Sequence, residues 1–86
     1  MKQTVIAGNW KMNKTHSEAN QFITSFISDY QSQDDMTVIL CPPSIYLKDF
    51  VEKTSESGIH VGAQNCHDQN SGAYTGELSP QMISSI

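Results

Sequence analysis

Few residues of this 86-residue sequence could do chemistry, and most of them follow short apolar runs. Asn9 and Lys11 come just after the first run, residues 4–7, which Gly8 closes. A lone lysine there offers a compact positive charge with three donors, suited to a phosphate or carboxylate. Asn9 could donate and accept toward the same ligand. From position alone the plainer readings stand beside these: a solvated surface lysine and an asparagine that caps a turn. Trp10, between them, is large and reads as packing under the loop. Cys66 and His67 follow the third run as neighbours. Structural zinc pairs leave roughly two to five residues between ligands, and no second pair exists, so His16, His60, His67, Cys41 and Cys66 make no metal centre. His67 has no visible orienting partner for base catalysis. Cys66 reads as a small buried hydrophobe rather than a nucleophile. Gly72 and Gly76 lie among Ser and Thr, but neither glycine pattern that cradles phosphate is present.

These residues must be positioned by strand-then-helix units. Residues 4–7 read as a strand apolar on both sides. Thr15 and Glu18 form a capping box, and Ala19, Phe22, Ile23, Phe26, Ile27 and Tyr30 follow at the spacing of one helix face. Residues 37–41 predict a second strand, stopped by Pro42 and Pro43. A helix is expected from 44 or 45 to 57, with Leu47, Phe50, Val51 and Thr54 inward and Gly58 as its left-handed cap. Residues 59–63 predict a third strand. A polar loop, 64–78, leads to Ser79 and Pro80, which read as an N-cap and first helical residue. Alternation of this kind implies an α/β fold with a parallel sheet. Function then gathers at the C-terminal ends of the strands, where Asn9, Lys11 and Gln64 stand. Loops as long as 64–78 are usually functional or disordered, and Tyr74 suits a protein contact.

The net charge of −4 and pI near 5.0 repel phosphate backbones and anionic lipid, so neither nucleic acid nor membrane is an expected partner. No apolar run could span a bilayer. The run at 4–7 is too short for a secretory signal, which places the chain in the cytoplasm as an expectation. Two cysteines fit free thiols in a reducing compartment. Ile, Leu, Val and Phe make up about 21% of the chain, just above the level at which disorder becomes the default reading. Three parallel strands with two helices and a stub can cover only one sheet face, so the fold reads as incomplete.

The motifs resemble those of the triosephosphate isomerase family. Ala7-Gly8-Asn9-Trp10-Lys11-Met12-Asn13 is similar to its opening signature. Cys41-Pro42-Pro43 follows in the expected order. So do Val61-Gly62-Ala63-Gln64-Asn65 and Ser71-Gly72-Ala73-Tyr74-Thr75-Gly76-Glu77. The resemblance implies the N-terminal strand–helix–strand–helix–strand segment, plus the start of a third helix, of a TIM (β/α)8 barrel. Residues 1–86 would be a partial domain, with no second domain, of a barrel of roughly 250 residues. It implies interconversion of dihydroxyacetone phosphate and D-glyceraldehyde 3-phosphate through an enediol(ate), without a cofactor, in glycolysis and gluconeogenesis. Asn9 and Lys11 would be the substrate-binding pair, with Lys11 also stabilising the charge that develops in the reaction. The family is a homodimer, which assigns Gln64, Tyr74, Thr75, Gly76 and Glu77 to the interface. Thr75 would approach the other subunit's site, and Glu77 would pair with an arginine that this sequence does not contain. The family's catalytic His and Glu match nothing here, since His67 and Glu77 lie outside the corresponding motifs. The 86-residue chain alone is therefore expected to be inactive. One alternative is a non-catalytic fragment that binds full-length subunits through loop 64–78. Another is an unrelated small α/β module that uses Lys11 for an anion.

Overall fold

The computed structural model describes residues 2–86. Strand β1 (Thr4–Asn9) leads to helix α1 (His16–Asp29) and strand β2 (Met36–Cys41). A 3₁₀ turn (Ser44–Tyr46) runs into helix α2 (Leu47–Lys53), followed by strand β3 (Ile59–Val61) and helix α3 (Pro80–Ser84). The strands form one parallel sheet in the order β1-β2-β3. This β1α1β2α2β3α3 order is the strand–helix alternation expected of the N-terminal units of an α/β barrel.

Register sorts the side chains. Ile6, Val38 and Ile59 stand abreast, as do Gly8, Leu40 and Val61. That face meets the helices: Val38, Leu40 and Ile59 are buried with Ala19, Ile23, Tyr46 and Phe50. The other face carries Val5, Ala7, Thr37, Ile39 and His60, by strand alternation. Among the described residues no helix covers it, and Val5 is 57% exposed.

Several boundaries differ from the sequence reading. β1 continues through Gly8 to Asn9, because both residues pair with β2 opposite Leu40 and Cys41. It is not buried on both faces. Even Ile6, on the helix side, is 51% exposed, since β1 is an edge strand with one neighbour. α2 is shorter than expected. A 3₁₀ turn occupies its start, and it ends at Lys53, where the Thr54 hydroxyl donates to the Phe50 carbonyl at 2.7 Å. Gly58 does adopt a left-handed φ of 82°, but as the turn into β3 rather than as the helix cap. A Cβ there would sit 2.9 Å from Ser32 Oγ. β3 stops at Val61, although the Gly62 N–H still donates to the Leu40 carbonyl at 2.9 Å.

The caps agree with the sequence. The Glu18 N–H donates to Thr15 Oγ1 at 3.3 Å, and the Thr15 N–H donates to Glu18 Oε1 at 3.0 Å. The Met82 N–H donates to Ser79 Oγ at 3.1 Å, with Pro80 opening α3. The Thr15 backbone N–H, and then its hydroxyl, hold the Glu18 carboxyl below its usual pKa of 4.5. Stability from a lowered carboxylate is complete above the unfolded-state pKa and is lost as pH falls through the folded value. Glu18→Gln should therefore flatten the acid limb of stability below about pH 4.5, and Thr15→Ala should cost about 1 kcal/mol at neutral pH. Denaturant unfolding at pH 7 and pH 3 measures both.

Candidate functional site

The site is built on the turn that leaves β1. Asn9 ends the strand, and its Oδ1 accepts from the Lys11 N–H at 2.8 Å. Asn13 Nδ2 then donates to the Trp10 carbonyl at 2.8 Å. Between these two bonds Lys11 takes a left-handed φ of 56°, a conformation that a side chain with a Cβ adopts only at a cost of about 1–2 kcal/mol. Lys14 is also left-handed, at 81°, and its carbonyl accepts from the buried Tyr46 hydroxyl at 2.7 Å.

Trp10 anchors the turn from below, as its sequence position suggested. Its N–H donates to the Cys41 carbonyl at 3.1 Å. Its indole meets Phe22 and Phe50 edge-on, with centroids 5.0 and 5.1 Å away. Aromatic pairs favour this arrangement. With Trp10 turned inward, Lys11 lies exposed and in no ion pair among the described residues. The two readings of Asn9 turn out to be compatible. Its oxygen caps the turn, and its amide nitrogen remains a donor beside Lys11.

An open groove of about 550 Å³ runs along the α1 side of this turn, lined by Asn9, Trp10, Asn13, Lys14, Glu18 and Phe22. Lys11 does not line it. The groove's own cation is Lys14, which like Lys11 is in no ion pair among the described residues.

Among the described residues, Gln64 is the member of the long loop that hydrogen-bonds to the Lys11 turn. Its Nε2 donates to the Lys11 carbonyl at 3.0 Å and to the Cys41 carbonyl at 2.8 Å. Sequence reading missed this role. The available signal was only that Gln64 follows the third strand much as Lys11 follows the first. It also missed Tyr46, whose hydroxyl secures Lys14.

The rest of the loop is organised around its own contacts. The His67 N–H donates to the Leu78 carbonyl at 2.8 Å and closes the base. Asn65 Nδ2 donates to Glu77 Oε2 at 2.8 Å, and the Glu77 N–H donates to the Tyr74 carbonyl at 3.0 Å. The Tyr74 ring packs on His67, centroids 4.2 Å apart. Gly72 permits that packing: its φ is 138°, and a Cβ there would fall 2.7 Å from Tyr74 Cε2. Tyr74, Thr75, Gly76 and Glu77 are all exposed. Cys66 is exposed rather than buried, because the loop base turns it outward, and its thiol reaches only the His67 carbonyl at 3.4 Å. Among the described residues no group of three or more His, Cys, Asp or Glu comes together to hold a metal. No helix there is long and apolar enough to cross a membrane.

A parallel sheet with a helix after each strand is the arrangement of the opening units of a TIM-type α/β barrel. The triosephosphate isomerase family model matches residues 4–86, and the chain belongs to that family. A triosephosphate isomerase from Streptococcus equi subsp. zooepidemicus (strain MGCS10565) is 41% identical over 85 residues, covering 99% of this chain and 34% of the relative. The chain thus spans about a third of the length of the curated relative it matches.

Proposed function

We propose that residues 1–86 form the substrate-holding part of a triosephosphate isomerase barrel, as a partial domain. The reaction is interconversion of dihydroxyacetone phosphate and D-glyceraldehyde 3-phosphate by proton transfer through an enediol(ate). It needs no cofactor and serves glycolysis and gluconeogenesis in the cytoplasm. One observation carries this reading: the Lys11 ammonium, in no ion pair among the described residues, stands on a turn fixed in a left-handed conformation at the C-terminal end of β1.

Lys11 meets the negative charge of the substrate and stabilises the charge that develops on the enediolate oxygen. The Asn9 amide nitrogen supplies a second donor. In the homodimer, Gln64, Tyr74, Thr75, Gly76 and Glu77 face the other subunit, and the exposure of the last four supports this. The acid–base groups come from other strands of the barrel. General acid–base catalysis contributes typically about 10²–10⁴-fold, so residues 1–86 alone should not turn over substrate.

A chimera tests the reading. Residues 1–86 are joined to the remaining two thirds of the Streptococcus equi relative. The folded chimera should isomerise glyceraldehyde 3-phosphate, while purified residues 1–86 should show no rate above buffer. A folded but inactive chimera would sink the proposal. So would a rate that scales with the 86-residue chain and vanishes on Lys11→Ala.

A further inference from the structure

We infer that Gln64 is a positioning residue for Lys11, holding its strained peptide in place from the end of the third strand. The inference rests on the reading of Lys11 given above.

The geometry is specific. A primary amide has two N–H donors, and here both go to main-chain carbonyls, those of Lys11 and Cys41. The orientation of the amide follows from its neighbours. Turned over, its oxygen would face two acceptors and no donor. The Cys41 carbonyl accepts from the Trp10 N–H as well, so both its lone pairs are used. One side chain on the β3 side thereby ties the end of β2 to the turn beyond β1.

Lys11 is held at both ends of its backbone. Its N–H goes to Asn9 Oδ1 and its C=O to Gln64 Nε2. Its φ of 56° is unfavourable for a lysine. An unfavourable conformer persists only where its surroundings over-determine it. Asn9 alone fixes the entry to the turn. Without Gln64 the Lys11 carbonyl is free to rotate toward water, and the ammonium is re-aimed with it. A charge re-aimed by an ångström can cost as much as about 10²-fold in rate. With both amide hydrogens spent inside the chain, Gln64 has only Oε1 to offer a second subunit. Its position at the dimer interface and its hold on Lys11 therefore use different atoms.

The test uses the complete barrel, with residues 1–86 joined to the rest of the Streptococcus equi relative. Gln64→Met keeps length and bulk and removes both donors. It should lower kcat/KM about tenfold and weaken equilibrium binding of inorganic phosphate several-fold, with the fold retained by circular dichroism. In a Lys11→Met background the same change should alter either quantity by less than about twofold, because two residues acting through one group are not additive. Equal losses in both backgrounds would overturn the inference and leave Gln64 a purely structural residue. No loss from Gln64→Met where Lys11 is retained would overturn it as well. If Lys11→Met alone leaves kcat/KM and phosphate binding intact, it is the isomerase reading of Lys11 that fails, a different signature. Should Gln64→Met not fold, Gln64→Glu serves instead. Its carboxylate confronts two carbonyls, and its rate relative to the parent should rise as pH falls and a donor returns. A ratio that does not change with pH would count against the inference.

Discussion

Lys11→Met in the complete barrel should lower kcat/KM by about 10²–10³-fold, the usual effect of removing one preorganised donor from developing charge. The substitution isolates the charge. Methionine keeps the aliphatic stem and bears the same strain at φ 56°, so the turn is penalised no more than before. Trp10 below the turn, the Asn9 cap and the Gln64 bonds all involve atoms that the substitution leaves alone. The thermal midpoint should therefore move little. A second readout is ionic strength. An exposed cation that attracts an anion is screened by salt, so the parent's kcat/KM should fall with salt more steeply than the variant's. Lys11→Arg should recover only part of the rate, since a planar fork does not replace a point charge on a flexible stem. A loss under about threefold for Lys11→Met would place the essential cation elsewhere.

Phe50→Ala should be the most damaging substitution for stability, at about 3–5 kcal/mol. Phe50 is fully buried, at 0% exposure, and lies where α2 meets the sheet. Its ring contacts Trp10 edge-on and stacks beside Tyr46 at 6.5 Å. Domains typically hold only about 5–15 kcal/mol of net stability, so this one ring represents a large share. The effect should reach the site as well. Trp10 would lose one of its two aromatic supports, and the Lys11 turn rests on Trp10. Phe50→Leu, which nearly conserves volume, should cost far less. Denaturant midpoints with an unchanged m-value would establish the difference. A cost below 1 kcal/mol for Phe50→Ala would mean that the neighbours close over the gap, and that this ring does not anchor the core.

What was legible in the sequence was chiefly local. Thr15 with Glu18, and Ser79 with Pro80, announce helix starts because a cap is satisfied within three residues. The helix-face spacing of α1 placed Ala19 and Ile23 in the core, and left Phe22 at 37% exposure beside Trp10. The ends of strands were less legible, because pairing is decided by the neighbour. Gly8 looked like a stop until β2 offered it Leu40 as a partner. The apolar run in β1 promised burial that its edge position does not provide. α2 is shorter than its spacing suggests because the chain tightens after it: the Ser57 N–H and hydroxyl both donate to the Thr54 carbonyl only three residues back, at 3.0 and 2.8 Å, which a spacing pattern does not reveal. At the candidate site, Lys11 and Asn9 can be singled out from their motif. The hold exerted by Gln64 cannot be, since it spans 53 positions from Lys11 and 23 from Cys41. A contact of that range leaves no trace in local composition.

The left-handed turn at Lys11 has one more consequence, for what selection could change. Glycine would adopt that φ without penalty and would make the chain more stable. It would also remove the only charge on the turn between Asn9 and Asn13. A sequence optimised for folding alone would drift toward glycine here, whereas one optimised for its ligand keeps the lysine and tolerates a less stable chain. Directed evolution for heat resistance, with no demand on activity, should therefore find this position among the easiest to improve and the most harmful to have changed.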